Sequence, residues 1–321
     1  MSRAISSRDV GALVDGARPF STGIDSSALH VLQDWASQAV GAGAVELREL
    51  GECEPDGGFV VVSILGTPTA VGENLPTGSE PARALAALET HTGRAVSGIL
   101  PLNTAGENAV IALAAAASTG VDLVDADGCG RVLPRVEQSL FGLAGIPLSP
   151  AVAVSPFGET TVLDAPAHRA AALLPRLVAA SGGWIFFAGY PMTGRRLTAT
   201  ANPGTISRFL DAKPDRPLAT VPHRVLARAA ITSIGVPNGA SGARISVMLR
   251  EANASERILR ADAHDEFFRV TGDGAPLATE PDEILLVSED GEVIDPDRCA
   301  VGMRVDVVVV AVPAAWHERG I

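Results

Sequence analysis

Residues 123–131 read LVDADGCGR, and this stretch decides the fold. Val121, Leu123 and Val124 form a short apolar run, and Asp125-Ala126-Asp127-Gly128 ends it abruptly, which predicts a buried strand stopped by a polar turn. In open α/β sheets ligands sit beyond the carboxyl ends of the strands, so two carboxylates, a thiol and an arginine at this turn mark it for chemistry. Working outward, helical spacing covers 8–14 and 26–41, with Leu29, Leu32, Trp35 and Ala36 on one face. Apolar, β-branched runs predict strands at 45–50, 59–65 and 96–100. Helices are expected at 81–91, with Ser79 as N-cap, at 109–118 after the loop 103–108, and at 135–141. Strands alternating with helices imply an α/β domain over 1–215, a mostly parallel sheet with flanking helices.

Past residue 147 the pattern shortens to strands at 151–154, 160–163 and 184–188 around a helix at 167–180, with a brief helix at 204–210. From 219 onward helical periodicity fades. Strands at 244–250, 266–270, 283–288 and 304–312, separated by Gly, Asp and Pro turns, predict a smaller β-rich domain over 216–321.

The chain has 321 residues, 47% of them hydrophobic and 19% charged, with a formal net charge of -12. That charge argues against nucleic acid and anionic membranes, which both need a basic footprint, and leaves a small-molecule substrate as the expected partner. A homo-dimer or higher homo-oligomer stays open. No apolar run approaches the roughly 20 residues that span a bilayer, and the first residues lack the apolar core of a signal peptide, so the expected location is cytoplasmic. Cys53, Cys129 and Cys299 are too few and too scattered for a disulfide framework or a zinc cluster, and the six histidines form no H-E-x-x-H pair. Neither a first-row metal site nor an organic cofactor is expected, while a carboxylate site for a hard cation stays open.

Asp125 and Asp127 are two apart, so in extended chain they point the same way; one suits a general base on water and the other can orient a ring N-H. The alternative is that they cap the following turn. Arg131 suits a substrate carboxylate or a developing oxyanion, or else it pairs with these aspartates. Cys129 has the backbone freedom of an activated thiolate between two glycines, against a role as a small buried residue. Gly106, Glu107 and Asn108 open the alanine-rich helix, where free N-H groups favour an anionic or carbonyl ligand; capping is the competing use. Thr67, in the loop 66–69, and Glu73 complete the candidate wall of the pocket.

The segment 123–134, LVDADGCGRVLP, followed by Gly142-Leu143-Ala144-Gly145, Pro150 and Phe157-Gly158, resembles the S-methyl thiohydantoin desulfurase-like family. In the same order come Leu65-Gly66-Thr67-Pro68-Thr69, Pro191-Met192-Thr193-Gly194, Gly204-Thr205-Ile206-Ser207, Gly302-Met303-Arg304-Val305 and Val312-Pro313-Ala314-Ala315-Trp316. The resemblance implies an α/β domain joined to a β-rich one, and substrates among five-membered cyclic ureides and related rings. In the named activity water replaces a methylthio group, giving a hydantoin and methanethiol. It also adds Thr205 to the substrate-binding candidates. Members usually carry a glycine run where this chain has residues 16–23, an acidic residue and paired glycines at 103–106, and a bulky apolar residue in place of Cys129.

The expected function is therefore a cofactor-independent hydrolase or lyase acting on a small heterocycle or cyclic amide, in secondary metabolism. Asp125 or Asp127 would activate water, and Arg131 with the N-H groups of 106–108 would hold the oxyanion. The alternative is a non-catalytic binding or accessory subunit of a hydantoinase-like system, suggested by the altered glycine run. Nucleotide binding is disfavoured, since Gly128-Cys129-Gly130 is neither a Rossmann nor a P-loop fingerprint.

Overall fold

A computed structural model describes residues 3–21, 26–132, 135–213, 218–235, 245–252, 257–264 and 266–318. The chain divides into two compact units, residues 1–20 with 24–211, and residues 21–23 with 212–321. The first unit holds strands β1 (Arg3–Ser6), β2 (Ala44–Glu49), β3 (Gly58–Gly66), β4 (Gly98–Pro101), β5 (Asp122–Asp127), β6 (Ala151–Val154), β7 (Thr160–Leu163), β8 (Trp184–Thr193) and β9 (Asn202–Pro203). Its helices are α1 (Val10–Ala17), α2 (Ser26–Val40), α3 (Pro68–Glu73), α4 (Glu80–Thr92), α5 (Gly106–Thr119), α6 (Leu140–Leu143), α7 (Ala167–Ala180), α8 (Gly194–Thr198) and α9 (Thr205–Leu210).

These strands form one sheet in the order β1-β2-β5-β4-β3-β8-β6-β7, with β9 added against β5. The pairs β2–β5, β5–β4 and β4–β3 are parallel, whereas β1–β2, β3–β8, β8–β6, β6–β7 and β5–β9 are antiparallel. The sheet is thus mixed, which corrects the mostly parallel sheet expected from the rhythm of the first half. Helical crossovers α4 and α5 make β3, β4 and β5 parallel. The link from β6 to β7, residues 155–159, is too short for a crossover and forces a hairpin. The helix expected at 135–141 also contracts: α6 covers only Leu140–Leu143, behind a turn. Ser79 stands before α4 without a capping bond, and Glu80 instead accepts from the N-H and hydroxyl of Thr77, at 2.8 and 2.9 Å.

Helix α5 positions the site. Its alanines at 109, 112, 114, 115 and 116 leave no polar face, as expected of a helix packed on all sides. It lies on β3 and β4, with α1 and α2 stacked upon it, and Gly120 in the left-handed region (φ 73°) ends it. A second body of core joins Val61, Leu100, Val124 and Ala126 of the sheet to Phe141, Leu148, Tyr190 and Leu174 of α7.

The second unit contains β10 (His223–Gly235), β11 (Ile245–Glu251), β12 (Ile258–Ala263), β13 (Phe267–Gly272), β14 (Ala275–Ser288), β15 (Val293–Ile294) and β16 (Arg304–Val310), then helix α10 (Ala315–Glu318). All pairings are antiparallel, and the order β13-β12-β11-β10-β16-β14 returns to β13, closing a six-stranded barrel with β15 attached to β14. Ile231, Val247, Leu249, Leu259, Val270, Leu286 and Val307 fill its interior. The β-rich expectation stands here, although β10 and β12 were not foreseen as strands. Among the described residues no helix is long and apolar enough to cross a membrane.

Candidate functional site

Strands β3, β4 and β5 are parallel, so the segments that follow them, from Thr67, 102–105 and 128–132, leave the same edge of the sheet. Backbone bonds knit two of these segments: Gly128 N-H donates to Leu102 O at 3.1 Å, and Thr104 N-H to Arg131 O at 3.4 Å. Gly128 must be glycine, because a Cβ there would stand 2.6 Å from both Leu102 O and the Phe141 ring.

Asp125 and Asp127 do point the same way, and both face the segment that carries β9 and α9. Asp127 is fully buried. Its Oδ1 accepts from the N-H groups of Cys129 (2.6 Å) and Gly130 (2.5 Å), and its Oδ2 from Asn202 Nδ2 (2.7 Å) and Thr205 Oγ1 (2.5 Å). Burial pushes its carboxyl above the ordinary range, against the pull of these four donors. Asp125 accepts from the N-H of Ser207 at 3.0 Å and from its hydroxyl. Both carboxylates therefore cap a turn and bolt α9 to the end of β5. Thr205, expected to bind substrate, is buried as one of those bolts.

Cys129 is enclosed, its Sγ lying 3.3 Å from both Leu102 O and Gln138 O. Burial drives its thiol well above the usual value, the Asp127 charge adds to this, and Arg131 opposes it. The surroundings of Cys129 thereby favour the neutral thiol over the thiolate. Arg131 is buried, with Nε donating to Val132 O at 3.1 Å. Tyr190 reaches the same loop: it adopts φ 54° and donates its hydroxyl to Val136 O at 2.8 Å.

The start of α5 is built differently. Ala105 occupies the N-cap position and offers no side-chain acceptor. A buried chain runs Ser63 Oγ to Asn108 Oδ1 (2.7 Å), then Asn108 Nδ2 to Asn103 Oδ1 (2.7 Å), which also accepts from Ala105 N-H (2.9 Å). Beside this chain, Thr104 Oγ1 and Glu107 Oε2 are enclosed without a hydrogen-bond partner among the described residues. Burial pushes the Glu107 carboxyl up to about 7, eased slightly by the bond from its own N-H. A carboxyl poised at neutral pH on a helix N-terminus can take a proton from water or return one to a leaving group.

The remaining candidates lie apart. Thr67 caps α3, accepting from Ala70 N-H at 3.3 Å, and Glu73 is exposed at the far end of that helix. In the altered N-terminal stretch, Arg18 is exposed and paired with Asp15, while Phe20 packs on Phe209 with centroids 5.7 Å apart. Residues 22–25, 133 and 134 fall outside the described residues. Ser63 and Asn202 were not singled out in the sequence. A lone hydroxyl in the otherwise apolar run FVVVSIL (59–65) was the available signal for Ser63. Among the described residues no three His, Cys, Asp or Glu side chains gather as metal ligands.

The chain is thus a two-unit protein, a mixed α/β sheet with a polar cluster at the ends of its parallel strands and a closed antiparallel barrel. Residues 8–165 match the S-Me-THD-like N-terminal domain and residues 166–321 the S-Me-THD-like C-terminal domain, and the chain belongs to this S-methyl thiohydantoin desulfurase-like family. The family division at 165 falls inside the first unit, ahead of α7 and β8. The crystal structure of a protein from Chromobacterium violaceum is similar in fold, with a TM-score of 0.74 at 20% identity over 97% of this chain and 92% of that one. No curated protein matches the chain.

Proposed function

We propose that the protein is an enzyme that hydrolyses a small five-membered cyclic amide or thiohydantoin-like ring at the edge where α5 begins, with Glu107 as general base. The observation that carries this reading is Glu107, whose Oε2 is enclosed, unpartnered and attached to a carboxyl raised to about 7. Its ionised form takes a proton from water as the water oxygen attacks the ring carbon. The positive end of the α5 dipole favours the negative charge that develops on the ring. The proton then passes to the departing thiolate or ring nitrogen. Glu107 takes the place foreseen for Asp125 or Asp127, because Asp127 already holds four donors and Asp125 is engaged by the N-H and hydroxyl of Ser207. Arg131 stays in the proposal as a cation near the site.

Family membership supports the substrate class, and a sheltered carboxyl supports catalysis over mere capping. Turnover of S-methyl thiohydantoins and hydantoins by the wild type and by Glu107→Gln tests it: the expected loss is about 10²-fold or more. Turnover unaffected by the change refutes Glu107 as base. The engagement of Asp125 and Asp127 as bolts gives weight to a second reading, a non-catalytic binding subunit. Thiohydantoin binding without turnover in the wild type would decide for it.

A further inference from the structure

At the opposite end of the same sheet, where β3 and β4 begin, lies a cavity of about 260 Å³ between the end of α4, the start of β3 and the end of β8. Its floor is apolar: Phe59, Leu88 and Met192 are all buried and contribute to its lining. Two exposed guanidinium groups, Arg94 and Arg196, complete the wall. Neither has a carboxylate partner among the described residues. Both lie against the chain beside the cavity. The Arg94 stem lies over Gly58, where a Cβ would stand 3.3 Å from its Cγ and Cδ and 2.3 Å from Ala95 O, so the glycine admits this close approach. Arg196 is tethered through its guanidinium to Gly145 O at 3.2 Å, leaving its other N-H donors available.

We propose that this cavity is a binding site for a small carboxylate with a compact apolar body, distinct from the edge that carries Glu107. The volume admits a ligand of roughly ten heavy atoms, and the apolar floor excludes a bare inorganic anion as the best fit. Each arginine presents a planar fork of donors of the kind that matches a carboxylate. Although the chain carries a net charge of -12 and the Glu89 carboxylate accepts from the N-H of Val96 at 2.7 Å, the residues lining the cavity include these two cations and no acidic side chain.

The test titrates the full-length protein with phenylacetate, with neutral 2-phenylethanol of nearly the same shape, and with inorganic phosphate, by calorimetry. Phenylacetate is expected to bind with a Kd at or below about 1 mM, and each of the other two about tenfold more weakly or worse. Arg94→Gln and Arg196→Gln should each weaken phenylacetate by about tenfold without moving the unfolding temperature. Glu107→Gln should leave that affinity unchanged, which separates this site from the proposed catalytic edge. Four results overturn the proposal: no saturation by about 10 mM, equal binding of 2-phenylethanol, equal binding of phosphate, or indifference to either arginine substitution.

Discussion

Replacing Asp127 by alanine should cost stability first and chemistry only through it. The change leaves four donors around a fully buried site, two of them backbone N-H groups, of Cys129 and Gly130, that cannot turn elsewhere. The Thr205 hydroxyl and the Asn202 amide can reorient. An unmade buried donor costs about 1–3 kcal/mol, so the two fixed ones alone amount to roughly 2–6 kcal/mol. Removing a carboxyl that burial already disfavours returns part of this, and the net expectation is roughly 3 kcal/mol. In a unit of this size that lowers the unfolding temperature by roughly 6–12 °C. Asp127→Asn keeps an acceptor for both backbone donors, and Asn202 can present its own oxygen to the new amide, so its cost should stay under about 1.5 kcal/mol. Urea unfolding followed by tryptophan fluorescence measures both, with Trp35 and Trp184 in the sheet-bearing unit and Trp316 in the other. An alanine variant within about 1 kcal/mol of wild type would refute the bolt, as would an asparagine variant as unstable as the alanine one. A catalytic base at Asp127 would instead lose about 10²-fold or more in turnover in the asparagine variant at unchanged stability.

Glu107 has its folded-state carboxyl raised from 4.5 to about 7, so the native state keeps a proton that the unfolded chain releases between these values. Stability should fall as pH rises through that window and level off above it; Glu107→Gln should flatten the profile, and an unchanged profile counts against the enclosed carboxyl. The same ionisation predicts that hydrolysis rises with pH up to about 7 and then holds, as read from kcat/KM profiles. Cys129 should resist thiol reagents at neutral pH until the protein unfolds, since its thiol is enclosed and raised; labelling at the native-state rate of an exposed thiol would contradict this. Gly16→Ala should destabilise by about 1–3 kcal/mol or more, because its Cβ would stand 1.9 Å from Phe209 O where α1 meets α9, and thermal unfolding at near wild-type temperature would show that contact to be slack.

What was legible in the sequence was local. The apolar run 59–65, the alanine-rich helix and the turn after Leu123 each declare themselves within a few residues, and they gave the strand and helix alternation correctly. Strand direction in the second half did not, because it depends on how β8 returns beside β3 and not on any pattern within β8 itself. The roles of Asp125 and Asp127 were open for the same reason: their partners Asn202, Thr205 and Ser207 lie 75, 78 and 82 residues further along the chain. Glu107 was seen as the opening of a helix, but the enclosure that raises its carboxyl comes from packing that no short window of sequence contains.

The barrel carries a consequence for synthesis. From β10 to β14 each strand pairs with its successor, so that much assembles as a meander while the chain emerges. Strand β16 pairs with β10, far back in the chain, and with the nearer β14, sliding between them as the last stave of the ring. Until residues 304–310 arrive, β10 and β14 both expose open edges, and those edges invite pairing with other chains. The run Val307-Val308-Val309-Val310 is thus a latch: its loss would leave both edges open to other chains and remove Val307 and Val309 from the barrel core.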